Sequence, residues 1–301
     1  MTQPVLMVGL GEILWDLLPS GKVLGGAPAN FAYMAHVLGD RGVVASRVGR
    51  DRLGQETYQQ LVRLGLSTAY VQEDSLYRTG TAGVSLDAAG QPTFTIAESV
   101  AWDCLEWTPA WQVLAAGTDV VCFGSLAQRD SVSAETIDRF LRTTKTEALR
   151  IFDVNFRAPY YTEDVLRRSL GHANIVKLTQ QELALVASML HLQGSDETGL
   201  ARTLLRTFEL QLVCLTRGAG GSLLVSEREC VGHPGFPVKV VDVVGAGDAF
   251  TACLAHHLVR GGSLSDISGY ANRFASWVAT QAGATPTIDR AQVDDILRTY
   301  P

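Results

Sequence analysis

The sequence predicts an α/β protein: a doubly wound, mostly parallel central sheet with helices on both faces, plus a small β-sheet lid. Three observations lead there. Apolar runs rich in β-branched residues alternate with amphipathic stretches along most of the chain, the pattern of βαβ units. Two segments, about 12–25 and about 70–102, break that alternation and read as extended chain. The 301 residues, 47% hydrophobic and 19% charged, suit one domain spanning 1–301 with a small appendage.

In chain order, VLMVGLG (5–11) is the first strand, and a helix is expected from Pro28 to about Gly39. GVVASRVG (42–49) precedes a helix near 52–65, TDVVCFGS (118–125) one near 131–145, and LRIFDVN (149–155) one near 162–171. NIVKLT (174–179) leads into helices near 180–189 and 196–208, and LQLVCLT (210–216) follows. The order then changes. LLVS (223–226), ECVGH (229–233) and VKVVDVV (238–244) read as antiparallel strands at the sheet's end, before helices near 247–260, 263–281 and 289–299. RTGTAGVSLDAAGQPTFTIAES reads as a hairpin turning at Ala88–Gly90, and with 12–25 it makes the expected lid.

Composition removes several function classes. The net charge is −6 and no Lys/Arg-dense run occurs, which argues against nucleic acid and anionic membrane as partners. No apolar run reaches the length of a membrane span, and MTQPVLMVGLGE reads as a strand rather than a signal peptide, so a cytoplasmic location is expected. Cys104, Cys122, Cys214, Cys230 and Cys253 are scattered and read as free thiols. The six histidines form no metal set, and His256-His257 read as core and surface neighbours in an apolar helix.

Five stretches could carry chemistry. In VVGAGDAF (243–250), glycines open a helix after extended chain, which suits an anion held by the backbone N–H groups of 245–247. Asp248 sits in that mouth, either as a reacting carboxylate or as a complement to the helix dipole. The turn lacks the third glycine and the position of a dinucleotide fingerprint, and no P-loop string exists. LTRGAGGS (215–222) is a glycine-rich turn after a strand, with Arg217 available to a phosphate, or simply a tight turn. VLGGAPAN (23–30) pairs two glycines before Pro28 and sets Asn30 in the first helical turn, as ligand contact or cap. FDVNFR (152–157) ends a strand with Asp153, Asn155 and Arg157, where α/β proteins place ligands, or caps the next helix. In KLTQQEL (177–183), Lys177 and Glu182 read as a surface pair, or Glu182 reaches Mg²⁺ through water.

Together and in this order, these stretches resemble the PfkB carbohydrate kinases, the ribokinase-like family. GGAPANFAYMAHVLGDRGVVASRVGRDRLG (25–54) is similar to the family's N-terminal signature, and DVVGAGDAF (242–250) to its C-terminal one, with Val243-Val244 where Thr-Thr is usual. The resemblance implies an ATP-dependent kinase acting on a sugar hydroxyl. It implies Asp248 as catalytic base, Gly245, Ala246 and Gly247 as anion hole, and Arg157 beside the sugar or the transferred phosphate. Asp16, Gly26 and Asn30 would contact the sugar. Thr179, Thr216, Gly218, Gly247 and Asn272 would contact ATP, Thr179 standing where the family has Asn. Glu182 would organise Mg²⁺, and Asp242, Val244, Ala279 and Ala284 would lie around a K⁺ ion.

Within the family, GEILWD, DVNFR and KLTQQEL resemble fructokinases most, so fructose is the expected substrate. A 2-keto-3-deoxygluconate kinase or a ribokinase is the alternative, and further off an inactive sugar- or nucleotide-binding sensor. The edges of a small exposed sheet point to a homodimer through the lid.

Overall fold

The computed structural model describes residues 4–19, 21–86 and 92–299. Its elements in chain order begin with β1 (Leu6–Leu10), β2 (Leu14–Leu18), β3 (Gly21–Gly25), α1 (Ala27–Val37), β4 (Arg41–Gly49), α2 (Arg52–Arg63) and β5 (Val71–Asp74). Next come β6 (Gly80–Leu86), β7 (Pro92–Ile96), α3 (Pro109–Gly117), β8 (Val120–Gly124), α4 (Ser131–Thr143), β9 (Leu149–Asp153), α5 (Glu163–His172) and β10 (Ile175–Thr179). The chain ends with α6 (Gln180–Leu190), α7 (Glu197–Thr207), β11 (Leu212–Thr216), β12 (Ser222–Val225), β13 (Cys230–His233), α8 (Ala246–Leu258), α9 (Leu264–Ala279) and α10 (Arg290–Thr299).

Nine strands form one sheet in the order β13-β12-β11-β10-β9-β8-β1-β4-β5. Every ladder from β11 to β5 is parallel, and β12 and β13 are added antiparallel. Strand side chains alternate between two cores, as a pleat requires. Met7, Val120 and Cys122 pack with α1, α8 and α9 on one face; Val8, Val121 and Phe123 pack with residues of α3 to α7 on the other. From β1 the chain winds one way to β4 and β5, then crosses to β8 and winds the other way. Such a reversal leaves a crevice at the carboxyl ends of the strands, where open α/β sheets bind ligands.

A second sheet, β3-β2-β6-β7, stands at that end. It is narrower than the sequence suggested. β5 pairs with β4 in the main sheet, and 101–104 is a 3-10 turn carrying Trp102 into the core, so 70–79 and 97–102 lie outside it. The hairpin turn expected at Ala88–Gly90 falls outside the described residues. Arg129 anchors the return from this sheet. Its guanidinium covers the Trp102 ring at 4.0 Å, pairs with Asp103 at 2.8 Å and donates to the Ala97 carbonyl at 2.6 Å.

Two further elements depart from expectation. VKVVDVV is not a strand. Val240, Val241, Val243 and Val244 are exposed, and the N–H groups of Val241 and Asp242 donate to the Ala279 carbonyl rather than to a sheet neighbour. β-Branched composition alone does not make a strand. Conversely α3, capped by Thr108 with Pro109 in its first turn, was not foreseen.

Trp102 tests the anchor. It is fully buried, and Trp102→Ala should cost about 3–5 kcal/mol of stability, read by urea denaturation. A loss below about 1 kcal/mol would show that the anchor contributes little.

Candidate active site

Gly245, with φ of 80°, caps the start of α8, and a β-carbon there would stand 2.6 Å from the Cα of Ala284. The left-handed turn and the close approach both call for glycine. Ala249 N–H makes the first helical bond, to the Gly245 carbonyl at 2.9 Å. Ala246 N–H turns back to Val243 at 3.3 Å. Of the 245–247 amides expected from sequence, that of Ala246 is therefore engaged, while those of Gly245 and Gly247, and of Asp248 after them, have no backbone acceptor.

Asp248 lies in this first turn, and its carboxylate accepts a 2.8 Å hydrogen bond from Asn30 Nδ2, 218 residues away in sequence. Neither plain alternative suffices: Asn30 does not cap its own helix, and Asp248 is gripped by a second element. α1 and α8 run side by side in the same direction. At their far ends His256 Nδ1 meets Asp40 Oδ2 at 2.6 Å, and Arg260 pairs with the same carboxylate. His256 is thus a hydrogen-bonding residue rather than plain core.

The connection from β1 to β2 brings Asp16 to the same crevice. A β-carbon at Gly25 would sit 2.4 Å from Asp16 Oδ2, and one at Gly26, where φ is 109°, 2.6 Å from the Glu12 carbonyl. The paired glycines make room for both. Burial raises the Asp16 pKa, opposed by the Arg157 guanidinium. Burial also raises Asp248, opposed by the Asn30 hydrogen bond, then by Lys177 and Arg157. Arg157 therefore acts on both carboxylates. It is exposed, and Asn155, with φ of 38°, turns the chain between Asp153 and it.

Glu182 is not paired with Lys177. Its Oε2 accepts from Thr179 N at 2.7 Å and its Oε1 from Phe156 N at 2.9 Å, so it closes a capping box on α6 and holds the 153–157 loop. Thr179 is that cap. Both Glu182 oxygens already accept an amide, which fits contact with Mg²⁺ through water rather than directly. Thr216 Oγ1 reaches the Leu178 carbonyl at 3.4 Å, and Gly218, with φ of 56°, opens the turn after β11. Arg217 is occupied by Glu197 at 2.7 Å.

Asn272 is 5% exposed, and its amide nitrogen donates to Ser222 Oγ and the Ser268 carbonyl, each at 2.7 Å. It ties α9 to β12, and that nitrogen is not available to a nucleotide. At the cation loop, Asp242 accepts from Val244 N and Gly283 N, each at 3.0 Å, bringing Val244 close to Ala284. The Ala279 carbonyl already accepts two amides, from Val241 and Asp242. It is thus already engaged, and Asp242, Val244 and Ala284 lie beside it. Among the described residues no group of three or more His, Cys, Asp and Glu could hold a metal, and no helix is long and apolar enough to cross a membrane.

The sequence reading missed Glu12. It is 3% exposed, Oε2 lacks a hydrogen-bond partner, and its pKa is raised to about 7. Burial is the main cause; its own backbone and Arg157 oppose, while Asp248 and Asp153 add to the rise. A carboxylate directly after an apolar strand, in GLGEILWD, was the available signal.

The pfkB family carbohydrate kinase model matches residues 20–291. The chain belongs to the pfkB family of carbohydrate kinases. It is 33% identical over 293 residues to the fructokinase of Klebsiella pneumoniae, covering 92% of each chain. A sugar kinase of Pyrococcus horikoshii, solved in complex with ATP, superposes with a TM-score of 0.81 at 25% identity, covering 97% of this chain and 100% of that one. A double mutant of the Vibrio cholerae fructokinase, with fructose, ADP and potassium bound, gives 0.81 at 25% identity over 99% of each chain. This kinase is accordingly a phosphotransferase acting on a sugar hydroxyl.

Glu12 generates a stability prediction. The folded pKa of about 7 lies above the ordinary 4.5. Its contribution is full below pH 4.5 and is lost as pH rises through 7, by roughly 3 kcal/mol at most. Glu12→Gln, which mimics the protonated acid, should flatten the fall in thermal stability between about pH 5 and 8. Parallel falls in wild type and variant would contradict the assignment.

Proposed function

We propose that this kinase is a fructokinase, transferring the γ-phosphate of ATP to a primary hydroxyl of fructose. The observation that carries the reading is the convergence of Asp16, Asn30, Arg157 and Asp248 on the open amides of α8. Asp16 and Asn30 are the sugar-gripping groups, Gly26 gives the sugar access to main chain, and Arg157 lies between sugar and phosphate. Thr179, Thr216 and Gly218, at the ends of β10 and β11, border the nucleotide.

The fructose hydroxyl oxygen attacks the γ-phosphorus in line and gives its proton to Asp248. The new P–O bond forms as the bond to the bridging oxygen breaks, and that electron pair leaves with ADP. The amides of Gly247 and Asp248 and the start of α8 stabilise charge on the transferred oxygens, with Arg157 alongside. Glu182 would hold Mg²⁺ through water, and the ion would supply neutralisation of phosphate charge. The small sheet acts as a lid over the sugar, excluding water that would otherwise hydrolyse ATP. K⁺, where bound, would sit by Asp242, Val244 and Ala284, stiffening the loop before α8. A homodimer through the small sheet fits its exposed Leu17, Leu18 and Val23.

One observation favours a second reading. Arg157 has no carboxylate within hydrogen-bond distance among the described residues; its guanidinium donates only to the Phe156 carbonyl. It would accept the carboxylate of 2-keto-3-deoxygluconate equally well.

Coupled-assay kinetics on fructose, ribose and 2-keto-3-deoxygluconate should show at least about a hundredfold preference in kcat/KM for fructose. A like preference for the acid sugar would move the assignment to the second reading. Asp248→Asn should lower kcat by about 100- to 10,000-fold while fructose still binds; normal turnover would remove Asp248 as base. Burial raises the Asp248 pKa and the base must be ionised. Activity should therefore fall on the acid side at a pH above the ordinary carboxylate range.

A further inference from the structure

Lys177 is not the surface residue its sequence context suggested. It lies on β10, 7% exposed, and its Nζ donates to both oxygens of Asp153 on β9 at 3.1 Å. Thr251 of α8 joins the pair: its Oγ1 is 3.5 Å from Asp153 Oδ2 and donates to the Gly247 carbonyl at 2.9 Å. A β-carbon built on Gly247 would stand 3.0 Å from Lys177 Nζ. The ammonium therefore rests against the first turn of α8, close to the open amides, and a side chain at 247 would crowd it.

The surroundings are mostly acidic or neutral. Glu12 after β1, Asp153 on β9, Glu182 on α6 and Asp248 on α8 act on this cluster, and Asn30 of α1 binds Asp248. Cys122 on β8 and Cys214 on β11 are pushed up by burial and stay neutral thiols. Two cations oppose these carboxylates: Arg157, which is exposed, and Lys177, which is not. Burial draws the Lys177 pKa down, but Asp153, Glu182 and Asp248 outweigh it and hold the amine charged. An ion pair serving stability alone is commonly replaceable by apolar side chains. This one is set where a carboxylate must stay ionised and a phosphate must be received.

We propose that Lys177 is a positioning residue for phosphoryl transfer: clamped by Asp153 against Gly247, its ammonium sustains the negative charge of Asp248 and adds a full positive charge behind the phosphate-receiving amides. The inference rests on the kinase reading above. Arg157 serves the open side of the crevice, and Lys177 the closed side.

The test is the double variant Lys177→Met/Asp153→Asn, which removes both charges and leaves no unpaired ion. Thermal unfolding, kcat, KM and the acid limb of the kcat/KM–pH profile are measured beside Lys177→Arg. The double variant should fold, keep KM for fructose and ATP within about threefold, and lose kcat by about 30-fold or more. Its acid limb should move up by about one pH unit, whereas Lys177→Arg holds the limb in place. A folded double variant with wild-type kcat and an unmoved limb would reduce the pair to a structural role. Should it not fold, the wild-type Asp248 carboxyl is titrated by ¹³C NMR, without turnover. A carboxylate ionised at neutral pH that stays ionised in Arg157→Gln sustains the proposal, and one protonated at neutral pH in either protein overturns it. Failure of the wild type to phosphorylate any sugar would refute the kinase reading and leave that titration to decide the charge claim.

Discussion

The hydrogen bond from Asn30 to Asp248 is the contact on which the candidate site depends. It joins the first turns of two helices from opposite ends of the chain, and it fixes a carboxylate beside amides suited to an anion. The two would compete if both faced one ligand atom. Held by Asn30, the carboxylate faces one side of the crevice while the amides of Gly247 and Asp248 face along the helix axis. Donors and base can then flank a single oxygen-to-phosphorus line. The second clasp, Asp40 with His256 and Arg260, keeps α1 and α8 parallel, so the register at the working end is set from both ends.

Charge is the second constraint. The strand ends gather Glu12, Asp16, Asp153 and Asp248 into poorly solvated positions, where ionised carboxylates are costly. Each is managed differently. Glu12, with an unpaired oxygen, takes up a proton near neutrality. Asp153, raised by burial to about 6, stays ionised at neutral pH beside Lys177. Asp16 and Asp248 share the influence of Arg157. A site that keeps one carboxylate neutral and another charged at the same pH does so by choosing which of them has a cation or a donor beside it.

Much of this was legible in the chain. Alternating runs such as VLMVGLG and LQLVCLT announced buried parallel strands, and GGAPAN and GAGD announced helix mouths open to ligands, because glycine, proline and helix starts act through local backbone rules. What stayed hidden depends on tertiary context. Lys177 looks like a surface residue until β9 sets Asp153 beside it. VKVVDVV has strand composition, but the amides of Val241 and Asp242 go to the Ala279 carbonyl instead of a strand. The Ala279 carbonyl thereby accepts two amides, and the Asn272 amide nitrogen is taken by Ser222 and Ser268. Trp102 closes the stretch expected to form the lid and is core. That the Ala246 amide turns back to Val243, leaving Gly247 and Asp248 open beside Gly245, rests on a single turn bond that sequence does not reveal.

The central claim is that Asp248 faces the hydroxyl and not the phosphorus. Transfer from ATP made chiral at its γ-phosphorus by isotopic oxygen and sulfur tests it most directly. A carboxylate that takes only the proton leaves one in-line displacement, and the account predicts inversion of configuration at phosphorus in the sugar phosphate. Retention would mean two displacements through a phosphorylated side chain, and would contradict the role given to Asp248.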